Sequence, residues 1–245
     1  SVLATLDDAR ANGFVADMHI KPPPPEQPGI HSFDDWVLAD LVDYFDWTPF
    51  FRAWELAGTY PNILDDKIVG ESARGLFADA REMLDKIVNE KWLTARGVAG
   101  LWPCRRDGDD VIVHREDAEH LRLPFLRQQI KKREGRANMC LADFVDVDGD
   151  WIGGFAVGIH GAEPHLERFR ADKDDYSDIL LKALCDRFAE AFAERLHQRV
   201  RCEWGYEQKG AFEPEALIAE PYRGIRPAFG YPACPDHSEK RRLFE

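Results

Sequence analysis

Two segments with helical period enclose a stretch that reads at period two, and this arrangement constrains the fold more than any other feature. Residues 72–92 place Leu76, Phe77, Ala80, Met83, Leu84, Ile87 and Val88 at three- and four-residue steps, the apolar face of an amphipathic helix. Ser72 is positioned to contribute to its start. Residues 174–199 repeat the pattern with Tyr176, Leu180, Ala183, Leu184, Phe188, Ala191, Phe192 and Leu196. Between them, VAGLWP (98–103) and DVIVH (110–114) flank a turn signal at Asp107-Gly108, which predicts a β-hairpin. LADFV (141–145) and WIGGFAVGI (151–159) read as two further strands around a DVDGD turn, with Gly153 and Gly154 marking a bulge or a close backbone approach. Residues 33–46, 48–57 and 118–134 read as helical, and a short helix is expected near 213–219. Strands and helices come in blocks rather than in strict βαβ alternation. The expected fold is therefore α+β, with a mixed, largely antiparallel sheet flanked by helices.

A chain of 245 residues is long enough for a substantial core, in one large domain or two small ones. KPPPPEQPG (21–29) is the one Pro-rich stretch near the N-terminus and suits an extended connector. Residues 1–32 are expected to form an arm packed on a main body of 33–245. No apolar run approaches the roughly 20 residues needed to span a bilayer. The opening SVLATLDDARANGF has neither the basic nor the apolar region of a secretion signal. A net charge of −13 argues against nucleic acid, which requires clustered Lys and Arg over a contact face. The dense basic stretch of Lys131, Lys132, Arg133 and Arg136 reads as a solvated helix end. Five cysteines (104, 140, 185, 202 and 234), odd in number and without a C-x-x-C pair, predict free thiols and a reducing cytoplasm. Cys234 and His237 make one C-x-x-H, and without a second pair no metal site is expected.

The run YRGIRPAFGYPACPDHSEK (222–240) holds Arg226, Gly230 and Tyr231 in an R-x-x-x-G-Y pattern. Pro221, Pro227, Pro232 and Pro235 exclude a regular helix, and Glu220 lies just upstream. A stiff loop presenting a guanidinium, a phenol, a carboxylate and exposed backbone can hold a zwitterionic small molecule; a plain surface connector is the alternative. Asp143, between the apolar neighbours of LADFV, either binds something or pairs with a buried donor, because unpaired burial is costly. Gly-rich phosphate loops, a G-x-S-x-G elbow and an H-E-x-x-H helix are all missing, and no catalytic nucleophile is expected.

Together with TPFFRAWELAGTYPNIL (48–64), ARGVAGLWPCRRDGDDVIV (95–113), NMCLADFV (138–145) and DDYSDILLKALCDRFAEAFAERLHQRVR (174–201), the loop resembles the C-terminal activation domain of cobalamin-dependent methionine synthase. The blocks follow the family's order over nearly the whole chain. The resemblance implies a single helmet- or C-shaped domain that binds S-adenosylmethionine (AdoMet). It implies ligand contacts from Asp143 (to the ammonium), Glu190, Glu220, Arg226 (to the carboxylate), Ala228, Gly230 and Tyr231. It places Asp186, His237 and Glu163 toward cobalamin, with Asp186 accepting a hydrogen bond from the histidine released by cobalt. The implied activity is reductive methylation of oxidised cobalamin held on a partner domain, with one electron from a flavodoxin-type donor. The domain is then part of a methyltransferase and not a complete enzyme alone. Two other readings stay open: a reactivation protein for another corrinoid methyltransferase, and an interaction domain that keeps the fold without the ligand. The family continues past the S-E-K segment with a helix and a hairpin, which are expected to be absent from a chain ending at Glu245. An acidic reductase is expected to dock on the 131–136 basic stretch, or else on Arg105 and Arg106.

Overall fold

The computed structural model describes residues 2–18, 23–116, 118–206 and 224–245. In chain order the elements are α1 (Leu6–Ala11), β1 (Gly29–Trp36), α2 (Ala39–Val42), α3 (Trp47–Ala53), α4 (Gly70–Asn89), β2 (Thr94–Asp107), β3 (Asp110–Val113), β4 (Leu121–Pro124), β5 (Asp150–His160), α5 (Glu163–Ala171), α6 (Asp175–Trp204) and α7 (Lys240–Leu243). Short 3-10 turns occur at Asn62–Asp65, Leu141–Phe144 and His237–Glu239.

β2 is the spine of the sheet. β5 runs antiparallel along one of its edges, from Thr94↔His160 to Cys104↔Asp150. The other edge is shared by β1, opposite Ala95 to Leu101, and then by β3, opposite Cys104 to Asp107; β4 extends the sheet from β3. Every pairing among the described residues is antiparallel, so the sheet is α+β in the expected way without a parallel component. The β2–β3 hairpin closes at Asp107↔Asp110, with Gly108 supplying φ +66° at the first turn position. The β2–β5 register is unbroken, so Gly153 and Gly154 mark close approach and not a bulge. A Cβ on Gly153 would lie 2.9 Å from Leu101 Cδ2, and one on Gly154 would lie 2.5 Å from Leu243 Cδ1.

α4 and α6 pack their apolar stripes into the main core. Leu84, Ile87, Leu181, Leu184, Phe188, Phe192 and Leu196 are fully enclosed there beside Leu41, Phe50 and Phe51. Phe45 meets Phe188 edge-on at 4.8 Å, a favoured aromatic geometry. Tyr176 departs from the expected stripe. It sits in the first turn of α6, beyond the edge of the core, and its exposed hydroxyl donates to Asp79 Oδ2 at 2.6 Å. Asp174 caps α6 by accepting from Ser177 N at 3.0 Å, and Gly205 at φ +90° ends it in the left-handed conformation. α4 starts without help from Ser72: Asp66 instead accepts from Ile68 N (2.8 Å) and Val69 N (3.0 Å) just ahead of the helix.

A second, smaller core gathers Cys104, Val111, Val113, Phe125, Cys140, Ala142, Val145 and Cys234, with Phe229 packed against it. It brings the hairpin, the 140s turn and the Pro-rich C-terminal loop to one place.

Three expectations are corrected. Residues 33–36 end β1 instead of opening a helix, so the expected boundary between arm and body falls inside a strand. Residues 118–134 hold β4 and extended backbone, because their polar groups bond outward: Gln128 N donates to Met139 O at 3.0 Å and Lys131 N to Val2 O at 2.9 Å. The basic stretch is therefore not a helix end. Residues 141–144 form a 3-10 turn, not a strand, because Asp143 Oδ2 accepts from Cys140 N at 3.0 Å, a local bond that competes with a ladder.

Arg127 explains much of the second correction. Its guanidinium grips Asp143 with two bonds, Nη1 to Oδ2 at 2.9 Å and Nη2 to Oδ1 at 2.6 Å. It also donates from Nε to Asp109 Oδ1 at 2.8 Å and from Nη1 to Asn138 O at 2.7 Å. Arg10 of α1 reaches the other oxygen of Asp109 at 2.8 Å. Burial would raise Asp109, but hydrogen bonds from Arg10 and Arg127 outweigh it and hold the carboxyl below its usual range. Asn12 Nδ2 donates to Asn138 Oδ1 at 2.8 Å, and Phe14 stacks on Phe144 at 5.0 Å. Residues 2–18 are thereby fastened to the turn that carries Asp143.

Candidate functional site

The C-terminal loop is a set of consecutive tight turns with one buried anchor. Tyr231 N donates to Ala228 O (3.1 Å), Gly230 N to Cys234 O (2.8 Å) and Cys234 N to Tyr231 O (2.9 Å). Cys234 is 4% exposed in the second core, and Leu141 N donates to Ala233 O at 2.9 Å, seating the loop on the 140s turn. Ala228, Gly230 and Tyr231 face outward, Tyr231 at 60% exposure. Gly230 has φ +108°, and a Cβ there would lie 2.5 Å from His237 Nε2. His237 thus packs directly on the glycine, at the start of a 3-10 turn that Asp236 caps through Ser238 N at 2.8 Å. Sequence spacing brought Gly230 and His237 no closer than seven residues; the turn makes them neighbours.

Arg226 pairs with Glu194 of α6 through Nη2 and Oε1, with the two side chains 23% and 14% exposed. Asp186, Glu190, Glu194, His197 and Arg201 follow one another at four-, four-, three- and four-residue steps, a stripe along one face of α6. Asp186 and Glu190 are exposed, while His197 and Arg201 are buried. Gly224 lies beside Arg201, 4.0 Å from its Nη1 to the site of an added Cβ. The loop therefore runs along this stripe and brings Arg226 to the same surface as Glu190 and Asp186. Glu194, His197 and Arg201 were missed from sequence. The four-residue step from Glu190 was the available signal, on a helix read only for its apolar side.

The remaining expected residues stand apart. Glu163 opens α5 and pairs with Arg170 at 3.0 Å. Glu220 lies outside the described residues. Asp143 has a buried donor beside it. It is 3% exposed, both its oxygens are bound by Arg127, and Oδ2 also accepts the Cys140 N–H.

Burial, reinforced by the Arg226 and Arg201 charges, lowers the His197 pKa to about 3. The ring is neutral at pH 7 behind the Arg226–Glu194 pair. As pH falls, the unfolded chain takes up this proton near pH 6.5, while the folded chain resists to about 3. Stability from this group is complete above pH 6.5 and is lost progressively below it, by about 2.5 kcal/mol at pH 4.5. Urea unfolding at pH 7, 5.5 and 4.5 should show this acid limb, and His197→Gln should flatten it. Parallel profiles for the two proteins would remove His197 as the cause.

All five cysteines are free. Burial pushes the Cys104 and Cys185 thiols up to about 12, and those of Cys140 and Cys234 to about 11, so these four are poor nucleophiles. Among the described residues no group of three or more His, Cys, Asp or Glu is arranged to hold a metal, and no helix is long and apolar enough to cross a membrane.

The family described as vitamin B12 dependent methionine synthase, activation domain, matches residues 37–245. The chain belongs to this family. It is also similar to a solved structure of the MetH reactivation domain bound to AdoHcy. The identity is 46% and the TM-score 0.91, over 100% of this chain and 78% of that one. An activation domain of this kind is part of methionine synthase, a methyltransferase. Its fold is the α+β arrangement described above, with the antiparallel sheet flanked by helices.

Proposed function

We propose that this activation domain binds AdoMet between the loop and the α6 stripe and presents the methyl group to cobalamin held on a partner domain. The observation that carries the proposal is the placement of Arg226, which a loop of tight turns sets beside the carboxylates of α6. AdoMet is a zwitterion with an added sulfonium, so a guanidinium next to carboxylates on an open surface fits its charges. The AdoHcy held by the similar reactivation domain supports the same ligand class here. Arg226 binds the ligand carboxylate, a bidentate contact that Lys reproduces poorly. Glu190, exposed one turn from Glu194, faces the cationic end, and the family resemblance assigns Glu220 to the same end of the ligand. Ala228 and Gly230 offer backbone to the adenosine, and Tyr231 offers a ring.

Asp186 and His237 make the face turned toward cobalamin. Asp143 and Glu163, compensated by Arg127 and Arg170, are left out of both faces. Bound cobalamin supplies a strongly nucleophilic cobalt(I) after one-electron reduction. The protein's part is proximity and orientation of the sulfonium methyl, because no side chain at the site is an activated methyl acceptor. For a flavodoxin-type donor, the exposed Lys131, Arg133 and Arg136 offer a local positive surface on a −13 chain. We place the domain in the cytoplasm, where its thiols stay reduced.

The test is calorimetric titration with AdoMet, followed by a methyl-transfer assay with and without a cobalamin-loaded domain and an electron source. Binding is expected in the first, and transfer only with both additions. Transfer to a small-molecule acceptor without cobalamin, or no AdoMet binding, would sink the proposal.

A further inference from the structure

We infer that Glu194 is a positioning residue for Arg226 and, through it, for the amino-acid end of the ligand; the inference rests on the proposed function. Arg226 projects from a Pro/Gly loop, at a position that belongs to no helix or strand. Glu194 projects from the middle of the 30-residue helix α6, between the buried Phe192 and Leu196. The two meet in an ion pair, so the side chain on the loop takes its orientation from the one on the helix. The surroundings favour this. Arg201 lies beside Gly224, and His197, the next member of the stripe, is buried.

The chemistry follows from the shape of the guanidinium. It is planar with five N–H donors, and one carboxylate on Nη2 fixes its plane without exhausting them. A second carboxylate, from the ligand, then meets a fork that is already aimed, which lowers the ordering cost of binding. Glu194 need not touch the ligand to act in this way. If instead it occupied the ligand's own place on Arg226, removing its charge would tighten binding.

The experiment titrates the full 245-residue chain with two ligands. S-adenosylhomocysteine carries the amino-acid end; 5′-deoxy-5′-methylthioadenosine has the same adenosine and thioether without it. Glu194→Gln is expected to lower affinity for the first by roughly tenfold and for the second by less than about twofold. Equal loss for both ligands would make Glu194 a structural residue. Unchanged affinity, or a gain for S-adenosylhomocysteine, would likewise overturn the inference. Should the Gln variant fail to fold, Glu194→Asp keeps the charge and shortens its reach, and the same ligand-selective loss is expected. Arg226→Ala is the control. If it does not discriminate between the ligands, the assignment of Arg226 itself fails; if it does and Glu194→Gln does not, only the positioning role fails.

Discussion

Arg226→Ala is expected to weaken AdoMet binding by about 2–5 kcal/mol, the range for truncating one partner of a buried charge pair. At 23% exposure the guanidinium is partly screened, which favours the lower half of that range. Arg226→Lys is expected to weaken binding by less, since a point charge keeps the attraction and loses the planar fork. The Ala variant should carry a second signature. Arg226 is one of the charges that depress His197, so its removal should raise the folded-state pKa, leaving the onset of the acid limb near pH 6.5 but making the total loss smaller and ending it at a higher pH. Calorimetry on both variants checks the first effect, and urea unfolding at pH 7 and at pH 3.5 to 4.5 checks the second. Unchanged AdoMet affinity in both variants would remove Arg226 from the ligand.

Asp143→Asn is expected to lower folding stability by about 3–5 kcal/mol, because it leaves the buried Arg127 short of a counter-charge. Asp109 still faces Arg127, which places the expectation near the lower figure. AdoMet affinity of the folded variant should not change. Urea unfolding gives the stability, and titration at low temperature, where the folded form dominates, gives the affinity. A stable variant with weakened AdoMet binding would place Asp143 in the ligand site.

The fold was legible where one period ran for several turns or where a turn had its own chemistry. α4, α6 and the β2–β3 hairpin are of this kind: apolar residues at three- and four-residue steps, or Asp-Gly between two strands. It was illegible where a single side chain redirected the backbone. Residues 118–134 read as a helix, and Arg127 ties them into a buried ion-pair network instead. Residues 141–144 read as a strand, and Asp143 bonds back to Cys140 N. Arg127 finds its partners 16 and 18 residues away, and the Asp143–Cys140 bond, though local, leaves no mark on hydrophobic periodicity. The site divided in the same way. Arg226, Gly230 and Tyr231 were found together because one loop carries them. Glu194 was missed because its partner is 32 residues away and helix carboxylates are ordinarily solvated. Asp143 was singled out for a sound reason, the cost of an unpaired buried charge; what sequence did not supply was the donor.

The seat of the loop has a consequence for assembly. Leu141 N bonds Ala233 O across more than ninety residues of chain, and Cys234 fills a core shared with β2, β3 and the 140s turn. No local fragment contains both walls of the site: α6 without the loop lacks Arg226, and the loop without the second core lacks its seat. The surface around Arg226 therefore exists only when these long-range contacts are made, and a ligand that grips it selects finished molecules over partly folded ones. Bound AdoMet would act as a receipt for completed folding, protecting the loop from proteolysis in proportion to occupancy.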